Sequence, residues 1–138
     1  MQTILAVDIV DGKVVKAFAG VRSNYKPLFL NQKDYSNPIL LIKEIIKKTN
    51  LKKIYIADLD AITKTRDNGV LIDKILNYFP NQTFLIDAGF QYPVSVYNYH
   101  KKKVLKNIKN YKVVLGTETI KNYNFKSYKF SKNFELSI

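Results

Sequence analysis

Four short runs rich in β-branched and apolar residues punctuate the chain: Thr3 to Val7, Lys53 to Ala57, Thr83 to Ile86, and Lys112 to Leu115. Their apolar character is nearly continuous rather than alternating, which suits strands covered on both faces, as parallel sheets require. Between them the period changes. Asn37 followed by Pro38 predicts an N-cap with proline in the first turn, and Ile39, Leu40, Ile42, Ile45 and Ile46 recur at helical spacing. A second helix is predicted over residues 68–79, with Val70, Leu71, Ile72, Ile75, Leu76 and Phe79 inward and Pro80 ending it. A third, after Pro93, rests on Val96, Val104, Leu105 and Ile108, with its lysines facing water. Strands alternating with helices at a spacing of roughly thirty residues are the mark of βαβ units with right-handed crossovers. The fold class is therefore α/β, with parallel βα repeats.

Two segments break the alternation. Gly12 punctuates the first strand, and Lys13 to Ala19 reads as a second β segment, so a hairpin-like excursion is expected before the first helix. The loop from Gly20 to Ser36 is then free to cover the top of the sheet. Near the end, Phe134 to Ile138 reads as the beginning of a fifth strand.

The residues at the strand ends carry the chemistry. The runs end in Asp8, in Asp58 with Asp60, in Asp87 with Gly89, and in Gly116 with Thr117. In a parallel α/β sheet the carboxyl ends of the strands share one rim, and that rim carries the site. Each aspartate alone also reads as a helix N-cap or turn residue. The Gly116-Thr117 pair reads equally as a plain strand-to-helix turn or as an anion cradle at a helix N-terminus. His100, the single histidine, is expected to be an exposed bystander. No metal site or cofactor is expected, because the carboxylates lack a nearby histidine or a calcium-loop spacing.

Composition narrows the class. An apolar fraction of 46% in 138 residues suffices for one packed domain, here taken as residues 1–138. There is no cysteine, so a thiolate site or disulfide framework has no ligands. The opening run is too short and too acidic for a signal peptide, and no stretch approaches the roughly 20 apolar residues of a membrane span, so a cytoplasmic location is expected. The net charge of +12 raises nucleic acid as a partner. It comes almost wholly from lysine, with arginine only at Arg22 and Arg66, as a solvated lysine-rich surface would give. Lys101, Lys102, Lys103, Lys106 and Lys109 read as a phosphate grip or as the wet face of an outer helix. Tyr123, Phe125, Tyr128 and Phe130, interleaved with Lys126 and Lys129, read as a base-stacking strip or as packing against the sheet.

The segment Ile4-Leu5-Ala6-Val7-Asp8-Ile9-Val10-Asp11-Gly12-Lys13-Val14-Val15-Lys16 resembles the opening of the HisA/HisF barrels of histidine biosynthesis. Asn37-Pro38 is similar to the start of their first helix, Ile54-Tyr55-Ile56-Ala57-Asp58-Leu59-Asp60 to their second strand, and Val113-Val114-Leu115-Gly116-Thr117-Glu118 to their fourth. The resemblance covers essentially the whole chain. It implies the N-terminal half of a TIM (β/α)8 barrel, from the first strand to the start of the fifth. It also implies a phosphosugar enzyme resembling the phosphoribosyl-aminoimidazole carboxamide isomerase, or a related lyase, acting on a phosphorylated sugar-type small molecule. The catalytic positions implied are Asp8 as acid/base, Asp58 near the substrate, and Lys16 where the cyclase branch has a functional lysine; Gly89, Gly116 and Thr117 fall where a phosphate binds. Such an isomerase needs an acid and a base on opposite sides of the substrate.

Two departures qualify the likeness. The family's third strand ends in several glycines and an arginine, whereas this chain has Asp87-Ala88-Gly89-Phe90-Gln91. With Tyr25-Lys26-Pro27-Leu28, this looks more like a related branch of methanogens and methylotrophs. The family's other catalytic Asp comes after the fifth strand, and Glu135-Leu136-Ser137-Ile138 stops where it would stand. A barrel needs about 200 residues or more, so a truncated or split gene product, inactive alone, is expected, with open strand edges that invite self-association or a second half-barrel chain. The competing reading is a non-catalytic basic module that binds nucleic acid or a partner subunit.

Overall fold

The computed structural model describes residues 3–16, 25–116, 119–121, 124 and 134–137. Strands β1 (Ile4–Val10), β6 (Lys53–Asp58), β7 (Thr83–Asp87), β8 (Tyr111–Gly116) and β9 (Phe134–Ser137) run parallel. The crossovers carry α1 (Pro38–Thr49), α3 (Gly69–Tyr78) and α4 (Pro93–Leu105), as the alternating periods predict. On the outer side of β1, strands β2 (Lys13–Lys16) and β3 (Lys26–Pro27) complete the main sheet, whose order is β3-β2-β1-β6-β7-β8-β9. No strand among the described residues closes this sheet into a barrel. No helix among them is long and apolar enough to cross a membrane.

The excursion after β1 is a hairpin. Asp11 and Gly12, at φ 50° and 72°, make a two-residue turn of the kind that positive φ at both positions permits, and β2 returns antiparallel with Asp8 opposite Val15. Of the loop beyond it, Tyr25 packs on the cluster of Val15, Ala57, Leu59 and Ile62, and the rest of the described part is itself structured. It forms β3, which extends the sheet edge, and a small hairpin of β4 (Phe29–Leu30) and β5 (Lys33–Asp34). Backbone bonds from Leu28 N to Val14 O and from Val14 N to Ser36 O tie this segment beside β2, because the edge of β2 has groups that need partners. The remainder of the expected Lys13 to Ala19 segment, the residues 20–24, and the aromatics at 123, 125, 128 and 130 lie outside the described residues.

One face of the sheet is packed with apolar side chains. Val7 and Ile9 of β1, Ile54 and Ile56 of β6, Phe84 and Ile86 of β7, and Val113 and Leu115 of β8 are all under 2% exposed and meet the helices. Against them α1 brings Leu41 and Ile42, and α3 brings Ile72, Ile75 and Leu76. Asn37 caps α1 through its side-chain oxygen, which accepts from Ile39 N and Leu40 N.

Helix α4 corrects two expectations. It buries Val96, His100 and Lys103, at i, i+4 and i+7, while Val104 and Leu105 are 75% and 81% exposed. His100 is not a bystander: its Nδ1 lies 2.6 Å from the Tyr111 hydroxyl. Nor do the lysines all face water. Lys103 is 4% exposed and pairs with Asp73 of α3, which Lys106 also reaches. The physical reason is that Tyr111 and Asp73 sit where α4 docks, and turning Val104 and Leu105 inward would bury both without these partners.

A short helix that the apolar pattern does not predict, α2 (Leu59–Ile62), comes directly after β6. It folds back over the other face, with Leu59 and Ile62 against Val15 and Ala57. A buried polar knot anchors it. The Asn68 side chain donates to Asp58 Oδ1 (2.7 Å) and Asp60 Oδ2 (3.0 Å) and accepts from Gly12 N (2.8 Å), while Asp60 Oδ2 also accepts from Asp11 N (2.7 Å).

Asn68→Ala is expected to cost about 3 kcal/mol, since it leaves two neighbouring buried carboxylates without their shared donor; urea unfolding checks this. A second expectation concerns pH. Burial pushes the His100 imidazole below its ordinary value of 6.5, so the folded chain favours the neutral ring. This contribution is complete above the unfolded value and is lost as pH falls below it. Acidification from pH 7 to about 5 should therefore lower the thermal midpoint of the native chain more than that of His100→Gln.

Candidate functional site

The carboxyl ends of the parallel strands do share a rim, and register sorts its side chains onto two faces. Asp8 lies opposite Ala57, and Ala57 opposite Asp87, so the three form one lateral row. Strand alternation turns this row away from α1, α3 and α4 and toward α2, since Val7, Ile56 and Ile86 point to the former. Adjacent strands lie about 4.8 Å apart, so Asp8 and Asp87 stand about 10 Å from each other, with only the small Ala57 between. Leu59 and Ile62 of α2 pack on Ala57, so the middle of the row is covered and its two carboxylates flank that contact.

Asp87 is held in place. Its Oδ2 accepts from the Tyr55 hydroxyl at 2.9 Å, and its Oδ1 accepts from Gly89 N at 3.2 Å. Tyr55 comes from the layer below, two residues before Ala57 on the same face of β6. Nothing in its own sequence neighbourhood marks Tyr55, and aligning β6 with β7 by their aspartates would pair it with Phe84; only the actual register, with Tyr55 opposite Leu85 and Ala57 opposite Asp87, brings it within reach of Asp87.

Asp58 lies on the other face. It pairs with Ile9 in register, is 1% exposed, and uses Oδ1 on Ala61 N and Asn68 Nδ2 and Oδ2 on Asn68 N. Its geometry is that of an N-cap and loop anchor. Lys16, one position past Val15, the partner of Asp8, alternates to the face that Asp8 does not share. The structure thus brings Asp8 and Asp87 together and sets Asp58 and Lys16 apart from them.

Gly89, at φ 68°, is required by close approach. A Cβ there would stand 2.8 Å from the Ile62 Cα, so α2 could not close over the strand ends. Its carbonyl accepts from Lys64 Nζ at 2.7 Å. Gly116 sits beside Asp87, whose Oδ2 would be 3.3 Å from a Cβ at this position. An anion at Gly116 therefore meets a carboxylate as well as backbone. Thr117 lies outside the described residues. Beyond it, Thr119 N and Ile120 N both bond to Gly116 O, closing a turn. No group of three or more histidine, aspartate or glutamate residues that could hold a metal ion occurs among the described residues.

Comparison with known proteins fits this arrangement of strands and aspartates. An uncharacterized protein of Methanocaldococcus jannaschii is 35% identical over 121 residues, which is 88% of this chain and 50% of that protein. The chain thus spans about half the length of that relative, and its source agrees with the methanogen branch of the resemblance. The family model described as histidine biosynthesis protein matches residues 2–135, which include the β1 aspartate, the Asp-Gly turn, and every described strand up to the start of β9. With nearly every residue inside that match, the chain belongs to the histidine biosynthesis (HisA/HisF) family.

Proposed function

We propose that the rim is the catalytic face of a HisA/HisF-type enzyme acting on a phosphorylated sugar-type substrate, with the parallel sheet as the first half of a (β/α)8 barrel. The observation that carries this reading is the row of Asp8, Ala57 and Asp87, two carboxylates level with each other on strands either side of β6. Proton transfer between adjacent carbons needs a group that removes a proton and one that returns it, each within hydrogen-bond reach. Asp8 serves as the acid/base. Asp58 holds the second strand end through its bonds to Asn68 and Ala61, and Lys16 belongs to the hairpin that backs Asp8. The turn from Gly116 to Thr119 receives the phosphate, with Thr117 within it, and Gly89 shapes the loop beside it. In this reading the remaining strands of the barrel complete the site, and residues 1–138 alone bind without turning over.

The test is thermal unfolding of the chain with ribose 5-phosphate. The ligand should raise the midpoint, Asp8→Asn should keep that rise, and Gly116→Asp should remove it. Asp87→Asn should enlarge the rise through a several-fold gain in affinity, because it deletes the negative charge beside Gly116 while keeping an acceptor for Tyr55. No rise for the native chain, or a rise that Gly116→Asp leaves intact, would overturn the reading. In the assembled enzyme, turnover of a phosphoribosyl-aminoimidazole carboxamide substrate should fall by about a hundredfold or more in Asp8→Asn.

A further inference from the structure

Helices α3 and α4 do not close against each other. Between them and the loop after β7 lies a cleft of about 420 Å³, on the helix side of the sheet and behind the rim. Its walls are of two kinds. Phe90, Tyr92 and Tyr99 supply rings, with Phe90 and Tyr99 edge to face at 5.2 Å and 80°. Lys64, Lys102, Lys103 and Lys106 supply ammonium groups.

The charges do not cancel. Three carboxylates line the same cleft, and each is already engaged. Asp58 is consumed by Asn68 and the Ala61 N–H, and Asp67 accepts from Gly69 N at 2.8 Å. Asp73 alone is left to serve both Lys103 and Lys106. Lys103 is buried, with its ammonium 4.3 Å from the Tyr99 ring centre as well as on Asp73. Burial works against charge on Asp73, and the two lysines outweigh it, holding the carboxyl below its ordinary value. That leaves Lys102 and the outer side of Lys106, which is 54% exposed, as positive charge facing the opening. On a chain of net charge +12 the field at this opening favours anions.

We propose that the α3/α4 cleft is a second ligand site, for a small organic anion whose flat apolar body lies against Tyr92 and Tyr99 and whose charge meets Lys102 and Lys106. The loop of residues 88–92 forms one wall of the cleft, which shares Asp58 and Gly89 with the rim but includes neither Asp8, Asp87 nor Gly116. It is independent of the reading of the rim as a catalytic face. A ring against aromatic walls and an anion against lysine are each modest alone; a molecule carrying both gains from each.

The experiment is a proton–nitrogen NMR titration of the 138-residue chain with phenyl phosphate, inorganic phosphate and benzyl alcohol. Phenyl phosphate should give saturable shifts centred on the amides of Val70, Gln91, Tyr92, Ser95 and Lys102. Inorganic phosphate should bind there more weakly, and benzyl alcohol should not bind. Lys102→Ala with Lys106→Ala should weaken phenyl phosphate by about tenfold, while Gly116→Asp leaves it unchanged. Should the double variant unfold, Lys102→Ala, which breaks no ion pair among the described residues, should still weaken binding by about threefold. The proposal is overturned if the shifts centre on Asp8, Ala57 and residues 116–119, if benzyl alcohol binds as well as phenyl phosphate, or if neither lysine variant changes the affinity.

Discussion

Asn68 stands where three parts of the chain meet, and their relative placement depends on it. Its amide group bridges Asp58 at the end of β6 and Asp60 in α2, and its oxygen takes the N–H of Gly12 in the β1–β2 turn. Two carboxylates this close repel unless donors stand between them. Here the donors are the Asn68 side chain, the Asn68, Ala61 and Asp11 N–H groups, and, farther out, the Arg66 guanidinium. The knot is satisfied in full, which is the condition under which buried polar groups specify one arrangement rather than weaken it. It fixes the hairpin behind Asp8 and the short helix above Ala57 with one set of bonds.

That anchoring gives the two faces of the sheet different tasks. The helix face holds the aliphatic core and the structural carboxylate Asp58. The opposite face holds Asp8 and Asp87, with Tyr55 keeping Asp87 oriented. Strand alternation allows this because neighbouring residues such as Ala57 and Asp58 serve different faces. A core and a reactive row can thus be written into the same short strands without either compromising the other.

The gap between α3 and α4 has a related origin. Aliphatic stripes close helix pairs, but α4 turns Val96, His100 and Lys103 inward. The contact with α3 is an ion triad around Asp73, and the contact with the sheet is a hydrogen bond to Tyr111. Polar contacts of this kind hold at set distances and do not fill space, so the helices stand apart with aromatic walls between them. The exposed Val94, Tyr97, Val104 and Leu105 are the complement of the same choice.

The sequence by itself determined the order of the parallel strands and of the three longer helices between them, the parallel class, the hairpin after β1, and which residues sit at strand ends. These are legible because periodicity, N-caps such as Asn37-Pro38, and the Asp11-Gly12 turn act within a few residues. It could not say which strand-end aspartate faces which way. Asp8, Asp58 and Asp87 look alike in sequence, yet register alone sends Asp58 into a cap and the other two onto a common row. Nor could it assign His100 and Lys103 to the interior, since what brings them in is Tyr111 on β8 and, for Lys103, Asp73 thirty residues away on α3. Tertiary structure decided those cases because the free energy of a buried polar group depends on its partner, and the partner is supplied by a distant part of the chain.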